Sequence, residues 1–173
     1  MIILSLGSNL SSNYGNRFDN IKKAVSFLNE YNIFVHKKSS YYETPSYPNK
    51  NNPKFINIVV TVKTKLLPLE LMSILIQIEE KLERKRNKKN EPRICDIDII
   101  DYNQEIISFT FKKQKLEIPH THLKKRNFVL YPLSEILPDW KHPVSKEKIS
   151  YLIKKLSEDD KNSISKIRKI DIL

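Results

Sequence analysis

Between Phe55 and Thr64, Ile56, Ile58, Val60 and Val62 fall on one side of an extended chain, with Phe55, Asn57, Val59 and Thr61 on the other. A two-residue period of this kind predicts a β-strand. A different period governs 17–32, where Phe18, Ile21, Ala24, Val25 and Leu28 mark the stripe of an amphipathic helix. Ile2 to Leu6 is a short apolar strand stopped by Gly7-Ser8-Asn9, and Ile33 to Ser39 reads as another strand. Pro68 suits a first helical turn, and Leu71, Leu75, Ile78 and Leu82 carry that helix to about Arg86. A strand through Ile94–Ile99 completes the order β-α-β-β-α-β. The expected fold class is therefore α+β and ferredoxin-like, an antiparallel sheet with both helices on one face.

Tyr41 to Pro53, with Pro45, Pro48 and Pro53, reads as a long loop. Beyond Asp101 the pattern weakens: 104–118 suggests a hairpin, 128–137 a short helix and 149–156 another. The mixed charged stretch 157–173 is a C-terminal extension that either packs or frays. No repeat or linker divides the 173 residues, so a single domain spanning 1–173 is expected.

Composition narrows the function classes. The chain has only two glycines, Gly7 and Gly15. Neither a G-x-G-x-x-G turn nor a G-x-x-x-x-G-K-[ST] loop is possible, so a bound nucleotide must be held by side chains. A formal charge of +11 suits nucleic acid, anionic lipid or a phosphorylated small molecule, and only clustering separates these. The single cysteine, Cys95, leaves no internal disulfide and fits a cytoplasmic setting. No apolar run approaches membrane-spanning length.

Chemistry gathers at Glu91-Pro92-Arg93-Ile94-Cys95-Asp96-Ile97-Asp98-Ile99. On a strand, Asp96 and Asp98 share a face, their Cβ atoms roughly 6.5–7 Å apart. Such a pair can hold one hard cation or share two; an edge strand with an acidic solvent face has the same pattern. Lys81, Arg84, Lys85, Arg86, Lys88, Lys89 and Arg93 lead into it, either as a solvated face or as phosphate ligands. A second cluster runs from Pro119-His120-Thr121-His122 through Arg126 to Phe128. Asn57, facing the same way as Phe55, is either a binding-site wall or a sheet-face asparagine bonded to a neighbouring loop.

Together these segments resemble the 6-hydroxymethyl-7,8-dihydropterin pyrophosphokinases. The matching motifs are Gly7-Ser8-Asn9, Thr44-Pro45, Phe55-Ile56-Asn57, Glu79 with Arg84 and Arg86, Pro92-Arg93-x-x-Asp96-x-Asp98-Ile99, Pro119-His120 and Arg126-x-Phe128-x-x-x-Pro132-Leu133. The resemblance covers roughly residues 1–140. It implies transfer of pyrophosphate from ATP to the pterin hydroxymethyl group, leaving AMP, in folate biosynthesis. Two Mg²⁺ ions would lie on Asp96 and Asp98. The catalytic set implied is Arg84, Arg93, Asp96, Asp98, His120 and Arg126, with Glu79, Arg86, Lys89 and Ile99 added on the ATP side. Thr44, Pro45, Tyr47, Phe55, Asn57 and Phe128 would bind the pterin, and 41–53 and 81–92 would act as lids. A cytoplasmic monomer acting on small molecules, without nucleic acid or membrane, is the matching expectation.

The family commonly has Arg-Trp-Gly before its Pro-Arg, where this chain has Lys89-Asn90-Glu91. Competing expectations are a basic ferredoxin-like RNA-binding module, a nucleotidyl transferase releasing pyrophosphate, and an inactive interaction domain.

Overall fold

The structure, a computed structural model, describes residues 1–83, 92–111 and 114–167. Arg84, Arg86 and Lys89, the Asn90 position and most of the expected lid 81–92 lie outside the described residues. Strands are β1 (Ile2–Ser8), β2 (Phe34–Lys38), β3 (Tyr42–Thr44), β4 (Phe55–Lys63), β5 (Asp96–Tyr102), β6 (Ile107–Phe111), β7 (Gln114–Ile118) and β8 (Ser165–Lys166). Helices are α1 (Arg17–Glu30), α2 (Pro68–Lys81), α3 (Asn127–Ile136), α4 (Ile149–Lys154) and α5 (Glu158–Asn162).

The main sheet runs β5-β1-β4-β3-β8, with β2 also on β4. Every strand pair in it is antiparallel. The hairpin expected over 104–118 forms a separate sheet from β6 and β7. Tyr42–Thr44, read in sequence as loop, is a strand because it pairs with Phe55–Asn57 of β4. Three residues carry too short a pattern to be seen without that partner.

The alternation along β4 separates two cores. Ile56, Ile58, Val60 and Val62 pack with Leu4 and Leu6 of β1 under α1 (Ile21, Ala24, Leu28) and α2 (Leu71, Leu75, Ile78). Val59, Ile3 and Ile100 pack on the opposite face beneath α3 (Val129, Leu130, Leu133), α4 (Ile149, Leu152) and Trp140. The first two helices thus share one face as expected, but the C-terminal helices cover much of the other. Burial on both faces makes β4 apolar nearly throughout. The end of the second face that α3 and α4 leave uncovered carries the polar residues of the candidate site.

Candidate active site

Two rows of the antiparallel ladder build the floor. In one, Gly7 lies between Asn57 and Asp96; in the other, Ser5 lies between Val59 and Asp98. A Cβ on Gly7 would stand 3.0 Å from Asn57 Oδ1 and 3.6 Å from Phe55 Cδ1. Glycine therefore keeps the strip between the amide and the carboxylate flat. The sequence marks Gly7 only as a strand stop; its position beside Asn57 is a product of register.

Both aspartates hold arginines. Arg93 Nη1 donates to Asp96 Oδ2 at 2.9 Å, and Arg126 Nη1 donates to Asp98 Oδ2 at 2.7 Å. The carboxylates keep 29% and 32% of their side-chain exposure and the arginines 22% and 23%, so the cluster is half-buried yet open to a ligand. Arg126 reaches it from the N-terminus of α3, with its guanidinium 5.4 Å from the centre of the Phe128 ring. Asn9 fixes the approach of Arg93. Its Oδ1 accepts from Arg93 N at 2.7 Å, while its Nδ2 donates to Pro53 O at 3.0 Å and Ser46 Oγ at 3.2 Å. The end of β1, the long loop and the entry to β5 are thereby joined through one side chain. In sequence Asn9 shows only as part of Gly7-Ser8-Asn9.

His120 is half-buried near this cluster. Burial lowers its pKa most; Asp98 opposes that shift, and Arg126 and His122 add to it. Its Nδ1 accepts from His122 N at 3.1 Å, which places the proton of the neutral ring on Nε2 as a donor. His122 is exposed, and no group of three or more His, Cys, Asp or Glu residues suited to a metal occurs among the described residues.

Across the floor, Asn57 is buried, with Nδ2 donating to Thr44 Oγ1 at 3.0 Å and to Tyr42 O at 3.4 Å. The bond to a neighbouring segment anticipated for a sheet-face asparagine is present, and its carbonyl end is turned toward Gly7. Thr44 is buried, Pro45, Phe55 and Phe128 are half-buried, and the Tyr47 side chain is 83% exposed. Glu79 lies on the α2 side of β5 and is buried, its Oε1 accepting from Ile97 N at 2.8 Å. Ile99 is a core side chain under the same strand, leaving only its backbone at the sheet edge.

Residues 3–138 match the family model of 7,8-dihydro-6-hydroxymethylpterin-pyrophosphokinase, HPPK. The chain belongs to the HPPK family. It is 39% identical over 135 residues to the 2-amino-4-hydroxy-6-hydroxymethyldihydropteridine pyrophosphokinase of Aquifex aeolicus, covering 78% of this chain and 81% of that protein. A Bacillus subtilis protein of the same name is 38% identical over 128 residues, 73% of this chain and 74% of that one. The folate synthesis bifunctional protein of Arabidopsis thaliana is 38% identical over 138 residues, 79% of this chain but 27% of its own length. Among solved structures, a Plasmodium falciparum HPPK-DHPS triple mutant with pteroate superposes at a TM-score of 0.72 and 17% identity, over 96% of this chain and 46% of that one. At that identity the likeness concerns the HPPK fold, a mixed α/β arrangement around an antiparallel sheet. The chain spans less than half of this solved relative and about a quarter of the Arabidopsis one. Every site residue above falls inside the HPPK match; residues 139–173 lie beyond it.

Proposed function

We propose that this chain transfers the pyrophosphoryl group of ATP to the hydroxymethyl oxygen of 6-hydroxymethyl-7,8-dihydropterin, releasing AMP, as a step of folate biosynthesis. The observation that carries the proposal is the pairing of Asp96 and Asp98 with Arg93 and Arg126, on the same sheet face as Asn57, in a chain of the HPPK family. The hydroxymethyl oxygen attacks the β-phosphorus, the bond from that phosphorus to the α-phosphate oxygen breaks, and the hydroxyl proton is released.

The two carboxylates are hard oxygen donors, each about a third exposed. They suit Mg²⁺, which takes one or two protein carboxylates and completes its shell with phosphate oxygens and water. Two such ions on Asp96 and Asp98 would offset the triphosphate charge and orient its oxygens. With carboxylates engaged in this way, Arg93 and Arg126 turn their forked donors to phosphate oxygens, where bidentate geometry fits. His120 offers Nε2–H to the same charge without adding a proton to the site. Arg84, Arg86 and Lys89 complete the ATP side in this reading, together with Glu79 and the Ile99 backbone. The pterin lies against Phe55 and Phe128, its polar edge bonded by Asn57 Oδ1 and the backbone of Thr44, Pro45 and Tyr47.

The strand order supports a ferredoxin-like core, acting as a single-domain monomer. Cys95 is buried and in no disulfide, and no helix among the described residues is long and apolar enough to cross a membrane; a cytoplasmic site of action is the matching reading. The test is incubation with ATP, Mg²⁺ and the reduced hydroxymethylpterin, with nucleotide products separated. AMP is expected, and Asp98→Ala is expected to lower its rate by at least about a hundredfold with the fold intact. ADP or free pyrophosphate as product, or wild-type turnover in the variant, overturns the proposal. Salt-sensitive RNA binding without ATP turnover would favour the RNA-binding module instead.

A further inference from the structure

The C-terminal stretch, ambiguous in sequence and beyond the residues that match the family model, is docked. It touches both sides of the candidate pterin site. On one side, Asn127 separates Arg126 from Phe128 and is buried. Its Nδ2 donates to Asp160 O at 2.6 Å and Ser163 Oγ at 3.0 Å, while its Oδ1 accepts from Phe128 N at 2.7 Å. The side chain between two proposed substrate contacts is thus tied to α5 and the turn after it.

On the other side, β8 pairs with β3, Ser165 opposite Glu43 and Lys166 opposite Tyr42. Ile167 N donates to Tyr41 O at 2.8 Å. β3 ends at Thr44, which bonds Asn57. Lys166 Nζ lies 3.3 Å from Glu135 Oε1, and Glu135 also accepts from Ser40 Oγ and Tyr42 Oη at 2.8 Å each. One eleven-residue segment, 157–167, therefore joins α3, which bears Phe128, to β3, which bears Thr44.

We propose that residues 157–167 form a clip that positions the pterin site, with Asn127 and Ile167 as its two fastenings and Phe128 and Thr44 as the groups it holds. Neither fastening touches the reacting atoms, so both are positioning residues. The proposal rests on the pterin pyrophosphokinase reading above. The β3 end of the clip acts on one substrate: β3 lies beyond β4 from β1, while Asp96, Asp98 and Arg93 are carried by β5 and its approach on the other side of β1. The α3 end, at Asn127, adjoins Arg126 as well as Phe128. Preorganised contacts are lost in proportion to how far the groups wander, so loosening the β3 end of the clip weakens pterin binding before ATP binding.

The test uses the full chain. Asn127→Ala removes the donor at one end, and Ile167→Pro removes the N–H given to Tyr41 at the other. Each is expected to raise KM for the pterin about tenfold; Ile167→Pro, whose fastening is remote from the arginines, is expected to leave KM for ATP within about twofold. The double variant is expected to be no worse than the worse single one, because an unfastened clip cannot be unfastened again. Unchanged pterin KM in both variants, or pterin and ATP KM rising together in Ile167→Pro with a falling Tm, overturns the clip. If Asn127→Ala fails to fold, Ile167→Pro alone decides by the same split between substrates. Wild-type protein run in parallel separates the two readings. Absence of pterin-dependent AMP release in it sinks the pyrophosphokinase reading and the clip with it, whereas normal release with indifferent variants sinks the clip alone.

Discussion

Three aspartates on one strand have different fates. Asp96 and Asp98 point to the open end of the sheet face and hold arginines. Asp101 is wholly buried, accepting from Trp140 Nε1 at 2.7 Å and Gln104 N at 2.8 Å. Alternation alone would put Asp101 opposite to the other two. The register shift between Ile3 and Leu4 in the pairing with β1 breaks the alternation. Nearby, His142 is buried and its Nδ1 accepts from Val144 N and Ser145 N at 3.2 Å each. Burial depresses its pKa most, Lys124 and Lys146 add to that, and Glu147 and Asp101 oppose it. The folded state therefore favours the neutral ring. This contribution to stability is fully present above the unfolded value of about 6.5 and is lost as pH falls below it, because the unfolded chain binds the proton more readily. Urea midpoints at pH 7.5 and 5 should fall further apart for wild type than for His142→Asn, which keeps an acceptor and has no proton to take up. Equal losses would exclude His142 as a source of acid lability.

At the scale of elements, α2 does more than cover the sheet. Leu71, Leu75 and Ile78 fill the core, while Glu79 from the same helix accepts the Ile97 N–H of edge strand β5. The family resemblance put Glu79 on the nucleotide side, and the fold gives it a bond that holds the acidic strand. Glu79→Ala should cost about 1–3 kcal/mol of stability by leaving a buried backbone donor unpaired, read as a shift in the urea midpoint. An unchanged midpoint with a raised KM for ATP would return Glu79 to a purely nucleotide-binding role. Strands β3 and β8 show why element prediction stops where it does: three and two residues long, they are held by partners 11 or more positions away in sequence, and no local period announces them.

On the scale of the whole molecule, one sheet separates two apolar cores, and the candidate site occupies the part of one face that the C-terminal helices leave uncovered. The formal charge of +11 is expected to draw the anionic ATP before contact. Raising salt from about 0.1 to about 1 M shortens the Debye length from about 10 to about 3 Å. kcat/KM for ATP should fall severalfold over that range while kcat at saturating ATP changes little. A flat kcat/KM would show that the positive charge plays no part in encounter. Periodicity along 1–81, the paired acids of β5, the shortage of glycine and the ordered motifs belong to the sequence, because each is a local or composition-level property; they were enough for an antiparallel α+β sheet and for the family. The pairing of Asp98 with Arg126, the burial of Asp101, Gly7 beside Asn57 and the docking of 157–167 are contacts between residues as much as 126 positions apart, as for Tyr41 and Ile167. Such contacts depend on register and packing in three dimensions, which no local pattern encodes, and only the tertiary structure decided them.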